Sequence, residues 1–333
     1  MKITFFSAQA YDRKFFDRIN AEQFSAQGFV LDYQQASLAT ASVALAAGSD
    51  AICVFVNDQL DSSVLEGLDA LGVKTVLLRC AGFNQVDLAA AMRLGMTVAR
   101  VPAYSPEAVA EHTIALIMTL NRHTHRAFNR VREGNFSLEG LLGKNMHGRT
   151  VGIVGTGKIG MAVARIMHGF GCRVLGHDPF PSAAFSGLGE YVGLDELLGR
   201  SDIVSLHCPL ADGCRHMIDA RALALMKPDA MLVNTSRGAL IDTSALIDRL
   251  QARALAAVAV DVYEQEGPLF FQDHSFEVMD DEVFQRFLSF PNVLVTGHQG
   301  FFTVEAMTEI AQITLENLRA IAQTGSCPNC LQA

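Results

Sequence analysis

A glycine-rich turn sits where an apolar stretch gives way to a helical pattern. Val151-Gly152-Ile153-Val154 leads directly into Gly155-Thr156-Gly157-Lys158-Ile159-Gly160. G-x-G-x-x-G alone is a weak signal. After a strand and before a helical stretch, Met161–Phe170, it is the turn that cradles the pyrophosphate of a dinucleotide. The first glycine permits the tight turn, the second lets backbone approach the phosphates, and the third lets the helix sit close to the strand. The helix start adds free N–H groups and positive potential. The next strand-like stretch, Arg173–Gly176, ends beside His177-Asp178, and 178 − 160 puts Asp178 18 residues past Gly160. A carboxylate there can accept from both ribose hydroxyls. It would also repel a 2′-phosphate, and His177, Pro179 and Phe180 supply no cation to offset that. The cofactor expected is NAD rather than NADP.

Hydride transfer to a carbonyl needs a proton donor for the oxygen and a cation for a substrate carboxylate. In an open α/β sheet both belong beyond the C-terminal ends of strands. Arg237 follows Val233-Asn234-Thr235-Ser236, Asp261 and then Glu266 follow Val258-Ala259-Val260, and His298 follows Val293-Leu294-Val295-Thr296-Gly297. Each has a plain alternative as a solvated arginine, a capping acid or a loop histidine. Position does not choose between His298 and His207, which ends another strand-like stretch, Ile203–Leu206. His123 and His125 form an H-x-H, but alternate helix positions do not face one ligand, so no metal is expected.

Positioning these groups takes a β-α-β rhythm, and the chain has one. Candidate strands are Lys2–Phe6, Phe29–Tyr33, Ala51–Val56, Thr75–Leu78 and Thr97–Val101, with helical stretches such as Asp12–Gln23 and Asp61–Leu71 between them. That alternation predicts a parallel sheet covered by helices. Ser105-Pro106-Glu107 then reads as a helix start, with a hydroxyl cap, Pro at the first helical position and an acid near the positive end of the dipole. The pattern predicts one helix to about Arg132, followed by a loop from Gly134 to Gly148. A second series, Thr150–Val154, Arg173–Gly176, Ile203–Leu206, Met231–Thr235, Ala256–Val260 and Val293–Thr296, has the six strands of one doubly wound nucleotide-binding unit. A last helix, Thr303–Gln323, is expected to return to the first domain. The fold class expected is α/β, with two Rossmann-like doubly wound parallel-sheet domains. The cofactor domain, 102–299, is inserted into a substrate domain of 1–101 and 300–333.

Composition agrees with that class. A chain of 333 residues allows two domains. Half of the residues are hydrophobic and 18% charged, enough apolar mass for a core. The net charge of −9 argues against a nucleic-acid partner. The N-terminal apolar run is too short for a signal peptide, and no stretch suits a membrane span. Seven cysteines, an odd number lying mostly in apolar segments, read as reduced thiols of a cytoplasmic protein. Cys327-Pro328-Asn329-Cys330 is a lone CxxC without a second ligand pair.

Several ordered segments go further. They are Arg79-Cys80-Ala81-Gly82-Phe83-Asn84, the stretch from Val101 to His112, and Gly155 to Gly160. They continue with Leu206-His207-Cys208-Pro209-Leu210, Asn234-Thr235-Ser236-Arg237-Gly238, the stretch from Val260 to Glu266, and Thr296-Gly297-His298-Gln299. On these the chain resembles the NAD-dependent D-2-hydroxyacid dehydrogenases, and among them the fermentative D-lactate dehydrogenases of bacteria. The resemblance spans essentially the whole chain. It implies catalytic roles for Arg237, Glu266 and His298, with the second acid, Glu266, rather than Glu264 beside the histidine. It implies reduction of pyruvate to D-lactate, Arg237 binding the carboxylate, His298 acting as general acid/base and Glu266 raising its pKa. It implies NAD contacts for Gly155, Gly157, Lys158, Ile159, Gly160, Asp178, His207, Cys208, Pro209, Thr235, Ser236, Arg237 and Asp261. Substrate contacts are implied for Ala81, Gly82, Tyr104, Arg237 and His298. The segment between Glu266 and Pro291 resembles the D-lactate branch. A reductase of another small 2-oxoacid and a non-catalytic NAD-sensing protein are the alternatives. A small-molecule substrate, a homo-oligomer (dimer or tetramer), and no nucleic acid, membrane or metal complete the expectation.

Overall fold

The computed structural model describes all residues except Asp212, Pro268, Gln332 and Ala333. The chain forms two compact units: Met1–Ser105 joined by the chain from Phe302 on, and Pro106–Phe301.

The first unit opens with β1 (Lys2–Phe5), α1 (Ala10–Gln23), β2 (Val30–Tyr33), β3 (Ala51–Val54), α2 (Ser62–Ala70), β4 (Thr75–Leu78), α3 (Leu88–Arg93) and β5 (Thr97–Arg100). Its five strands are parallel in the order β2-β1-β3-β4-β5. Every residue of β3 and β4 is buried, as parallel strands covered on both faces must be. Asp61 caps α2 by accepting from Val64 N–H, and Asp87 caps α3 by accepting from Ala90 N–H.

The second unit runs α4 (Pro106–Arg122), α5 (Thr124–Arg132), β6 (Thr150–Val154), α6 (Lys158–Gly169), β7 (Arg173–His177), β8 (Gly189–Tyr191) and α7 (Leu194–Arg200). It continues with β9 (Ile203–Leu206), α8 (Ala220–Leu225), β10 (Met231–Asn234), α9 (Thr243–Gln251), β11 (Ala257–Val260), α10 (Glu282–Leu288) and β12 (Val293–Val295). The order is β12-β11-β10-β9-β6-β7-β8, all parallel. Alternate strand residues serve two cores. Val154, Leu206, Leu232 and Val260 join one, while Val151, Ile153, Val233 and Ala259 join the other. The crossovers reverse between β6 and β9, the place where open sheets bind ligands.

Two expectations need correction. The sheet has seven strands, not six. The extra one, β8, is three residues, Gly189-Glu190-Tyr191, on the edge beside β7, and carries no apolar run to announce it. The predicted single helix to Arg132 is broken at His123, whose φ of 51° and ψ of 32° are left-handed. The His123 carbonyl then accepts from Arg126 N–H and Ala127 N–H, which starts α5 afresh. No Gly or Pro marks the break; histidine enters this conformation more readily than most residues.

α11 (Val304–Thr324), capped by Thr303 accepting from Ala306 N–H, packs on α1, β4 and β5 and so completes the first unit. The tail after it pairs antiparallel along β5, with Ala99 opposite Cys330. Among the described residues no helix is long and apolar enough to cross a membrane.

Candidate active site

Each glycine of the turn has a visible reason. Gly155 has a φ of +91°, and a Cβ there would lie 2.6 Å from Cys208 N. At Gly160 a Cβ would lie 2.0 Å from the Gly155 carbonyl oxygen, so the helix closes on the turn only without a side chain. Gly157 differs: a Cβ there meets no protein atom within 4 Å. It is the N-cap of α6 and supplies no side-chain cap to the helix. Lys158 is exposed and Ile159 half-buried in the first turn. Uncapped N–H groups beside an open glycine form a cradle for an anion.

Asp178 lies just past β7 and is tied to the turn. Its Oδ2 accepts from Thr156 N (2.7 Å) and Thr156 Oγ1 (3.0 Å), and its Oδ1 from Phe180 N (2.9 Å). Burial opposes its charge, but these bonds outweigh that and hold the carboxyl below the usual range. A fixed carboxylate beside the glycine turn suits a ribose diol. The residues present therefore fit NAD.

Arg237 follows β10 and is half-buried. Its carbonyl accepts from Asn234 Nδ2 at 2.8 Å, and its Nη1 donates to the Ser236 carbonyl at 2.6 Å. Ser236 Oγ donates to the Cys208 carbonyl at 2.6 Å. A Cβ at Gly238 would lie 2.0 Å from the Tyr263 carbonyl carbon, so the Arg237 loop lies against the backbone of the Tyr263–Glu264 segment. Thr235 is buried, with its hydroxyl 2.8 Å from that of Thr113 on α4. Thr113 already donates to the Val109 carbonyl, so the Thr235 hydroxyl donates to Thr113.

Asp261 directly follows β11 and is only 2% exposed. Its carboxylate accepts from Thr296 Oγ1, Gln299 N (2.9 Å) and Gly300 N (2.8 Å), with His112 Nε2 at 3.2 Å. Burial raises its pKa, but bonds from His112, Thr296 and Gln299 bring it below the ordinary value. The Asp261 carbonyl accepts from His298 N at 2.8 Å. One buried aspartate thus clasps the whole 296–300 turn. That matters because His298 has a φ of +54°, a conformation that costs a non-glycine residue about 1–3 kcal/mol and persists only where its surroundings enforce it. A Cβ at Gly300 would come within 3.0 Å of Asp261 Oδ2, so glycine keeps the clasp tight.

His298 Nδ1 lies 2.8 Å from Glu266 Oε1. The other Glu266 oxygen accepts from Tyr263 N at 3.0 Å. An ionised carboxylate only accepts, so Nδ1 carries hydrogen and Nε2 is the position that gains or loses a proton. Glu264 is placed elsewhere, on His216 Nε2 and Arg215 Nη2, both at 2.6 Å. The Phe271 ring lies 5.6 Å from the His298 imidazole, centroid to centroid.

His207 is a different kind of histidine. Its Nε2 lies 2.8 Å from Ser205 Oγ, and its Nδ1 is buried without a partner among the described residues. Burial pushes its pKa down to about 3, so it is neutral and cannot serve as the acid. Burial likewise pushes the Cys208 thiol up to about 12. Pro209 is exposed beside it.

The structure therefore gathers the glycine turn, Asp178, His207, Cys208, Thr235, Ser236, Arg237, Asp261, Glu266 and His298 at strand C-terminal ends of one unit. Ala81, Gly82 and Tyr104 are half-buried residues of the other. Sequence reasoning assigned no role to His112 or Phe271. His112 is separated from Asp261 by 149 positions, and no local pattern connects them. A cavity of about 200 Å³ lies at the opposite, N-terminal edge of the larger sheet, lined by Leu120, Lys144, Asp202, Asp229 and Ala257, and holds none of these groups.

Residues 114–300 match the family model described as D-isomer specific 2-hydroxyacid dehydrogenase, NAD binding domain. The chain is 55% identical over 331 residues to 2-hydroxyacid dehydrogenase A of Aspergillus oryzae, covering 99% of this chain and 95% of that one. It is 51% identical over 330 residues to D-lactate dehydrogenase of Escherichia coli, covering 99% of each. The apo-structure of D-lactate dehydrogenase from Escherichia coli superposes with a TM-score of 0.90 at 48% identity, covering 100% of both chains. With a dinucleotide cradle, a glutamate-held histidine and likeness along the whole chain, this protein belongs to the D-isomer specific 2-hydroxyacid dehydrogenases, enzymes that use NAD.

Proposed function

We propose that this enzyme reduces pyruvate to D-lactate with NADH. The observation that carries the reading is the 2.8 Å contact of His298 Nδ1 with Glu266 Oε1, which leaves Nε2 as a proton donor at the end of a dinucleotide-binding sheet. The 51% identity to a protein named D-lactate dehydrogenase supports the choice of substrate.

NADH, when bound, supplies the hydride for the carbonyl carbon. Gly155, Gly157, Lys158, Ile159 and Gly160 hold its pyrophosphate, and Asp178 its ribose. His207, Cys208, Pro209, Thr235 and Ser236 line the rest of its site. Arg237 pairs its planar fork with the pyruvate carboxylate and polarises the keto oxygen. Protonated His298 gives its Nε2 proton to the developing alkoxide, and Glu266 keeps the ring oriented with Nδ1 protonated. In the other unit, substrate contacts are assigned to backbone at Ala81 and Gly82 and to the Tyr104 side chain. Asp261 serves chiefly by holding the His298 turn, since its carboxylate already takes four protein donors. The active form is a cytoplasmic homo-oligomer.

Steady-state NADH oxidation with pyruvate, hydroxypyruvate, phenylpyruvate and 2-oxobutyrate tests the reading, with the product's chirality assigned enzymatically. The highest kcat/KM with pyruvate and a D product are expected. Preference for a bulkier acid gives the activity to another 2-oxoacid, and NADH binding without turnover of any of them ends the catalytic reading.

A further inference from the structure

The carboxyl-terminal Cys327-Pro328-Asn329-Cys330 turn has no part in the chemistry above, and its two thiols touch. Cys327 Sγ lies 2.8 Å from Cys330 Sγ, and both residues are free and half-buried. The turn is already closed: Cys330 N donates to the Cys327 carbonyl at 3.2 Å. It is also held from outside. Arg100 N donates to the Asn329 carbonyl at 3.1 Å, and Leu331 N to the Val98 carbonyl at 2.8 Å. Asn329 Nδ2 donates to Asn317 Oδ1 of α11 at 2.9 Å. Two thiols held in contact by a preformed turn need little backbone movement to bond, which is the usual obstacle to a disulfide. Among the described residues no third His, Cys, Asp or Glu joins them as a metal-binding group.

We propose that Cys327 and Cys330 form a thiol–disulfide site, oxidised reversibly by a low-molecular-weight disulfide of the glutathione disulfide class. The two sulfurs differ in readiness. Cys327 N–H donates to Cys330 Sγ at 3.1 Å, so a backbone donor is already aimed at that sulfur. Burial first, then the bond with Cys330, pushes the Cys327 thiol up to about 12. Cys330, whose sulfur already accepts a backbone hydrogen bond, attacks first. Its thiolate displaces one thiol from the disulfide and forms a mixed disulfide. Cys327 then loses its proton and attacks Cys330 Sγ, displacing the second thiol. Two protein thiols and one small disulfide become one protein disulfide and two small thiols, a two-electron exchange with no other reactant. Four of the other five cysteines are placed less favourably: Cys53, Cys80 and Cys172 are buried, and the Cys208 sulfur faces Met217 Sδ at 3.6 Å.

The test equilibrates the full-length wild-type protein in glutathione and glutathione disulfide buffers of graded ratio, followed by acid quench, maleimide blocking, intact mass and peptide mapping. The expected product is one disulfide, a loss of two hydrogens, mapped to Cys327 and Cys330 and reversed by excess glutathione. Cys327→Ser should retain a glutathione adduct on Cys330, whereas Cys330→Ser should leave Cys327 unmodified. Thiols that stay free in the most oxidising buffer, or a disulfide mapped to Cys208 and Cys214, overturn the proposal. An adduct that accumulates on Cys327 in Cys330→Ser as fast as on Cys330 in Cys327→Ser overturns the order of attack.

Discussion

Arg100 Nη1 donates to the Ala81 carbonyl oxygen at 2.8 Å. The guanidinium also lies 5.0 Å over the Phe83 ring. Its backbone is held as well, the carbonyl by Asn317 Nδ2 at 3.0 Å and the N–H by Asn329. Arg100 thus fixes the Ala81–Gly82 turn from a rigid strand end. If that turn binds substrate through its backbone, Arg100→Met should raise KM for pyruvate about tenfold, the scale of one lost charged hydrogen bond. NADH affinity, measured by fluorescence titration, should not move. Unchanged KM in a folded variant would separate the turn from the substrate.

Glu266 and Glu264 make opposite predictions although two positions apart. Glu266→Gln leaves an amide that can turn its NH2 toward Nδ1 and select the wrong tautomer. The loss in kcat/KM should approach that of His298→Asn, about 10²–10⁴-fold. Glu264→Gln breaks a pair with Arg215 and His216 and should leave turnover within about threefold, since neither partner belongs to the catalytic set. Parallel steady-state assays of the three variants decide it, and a larger loss in Glu264→Gln would reverse the assignment.

Arg237→Lys retains the charge and loses the planar fork. The expected cost is roughly 2–4 kcal/mol in kcat/KM for pyruvate. Lactamide oxidation, which offers no carboxylate, should be much less affected by the change. An equal loss with both substrates would mean that Arg237 does not recognise the carboxylate.

Asp178 should exclude NADPH. Like charges brought together cost several kcal/mol, so wild-type kcat/KM should favour NADH by about 10²-fold or more. Asp178→Ala combined with Pro179→Arg should lower efficiency with NADH and raise it with NADPH. Equal use of both cofactors by the wild type would contradict the role given to Asp178.

His207 predicts a pH dependence of stability. An unfolded histidine titrates near about 6.5. In the folded chain the value is pushed down to about 3, so below about pH 6.5 the unfolded state binds a proton that the folded state refuses. The contribution is therefore absent above about pH 6.5 and becomes destabilising as pH falls toward 3, by up to roughly 1.4 kcal/mol per pH unit. Denaturant melts from pH 7 to 4 should show a shallower decline for His207→Gln than for wild type. Parallel curves would mean that the ring is hydrated.

What the sequence disclosed was mostly local. The glycine turn, Asp178 and nearly every strand are written in consecutive residues, because turn sterics and strand burial act over a few positions. β8 escaped because it is three residues long with no apolar run, and the break at His123 because no Gly or Pro marks it. The partners of His298 were beyond spacing arguments. Glu266 came from resemblance, and the clasp of Asp261 on His112, Thr296, Gln299 and Gly300 joins segments that only the folded sheet brings together. Likewise the CxxC reads as a loose tail until its pairing along β5 is seen.

The placement of α11 bears on the order in which the chain becomes structured during synthesis. Residues 106–301 form one uninterrupted segment with its own sheet and two cores, whereas the first unit lacks the helix that packs on α1, β4 and β5 until residues 304–324 are made. The nascent chain would therefore carry an unfinished amino-terminal sheet, with apolar surface on β4 uncovered, while the middle of the polypeptide is already able to fold. Domains generally fold amino-terminus first as they emerge from the ribosome; here the discontinuous connectivity inverts that order. Emergence of α11, not of the first hundred residues, is the event that lets the amino-terminal unit mature.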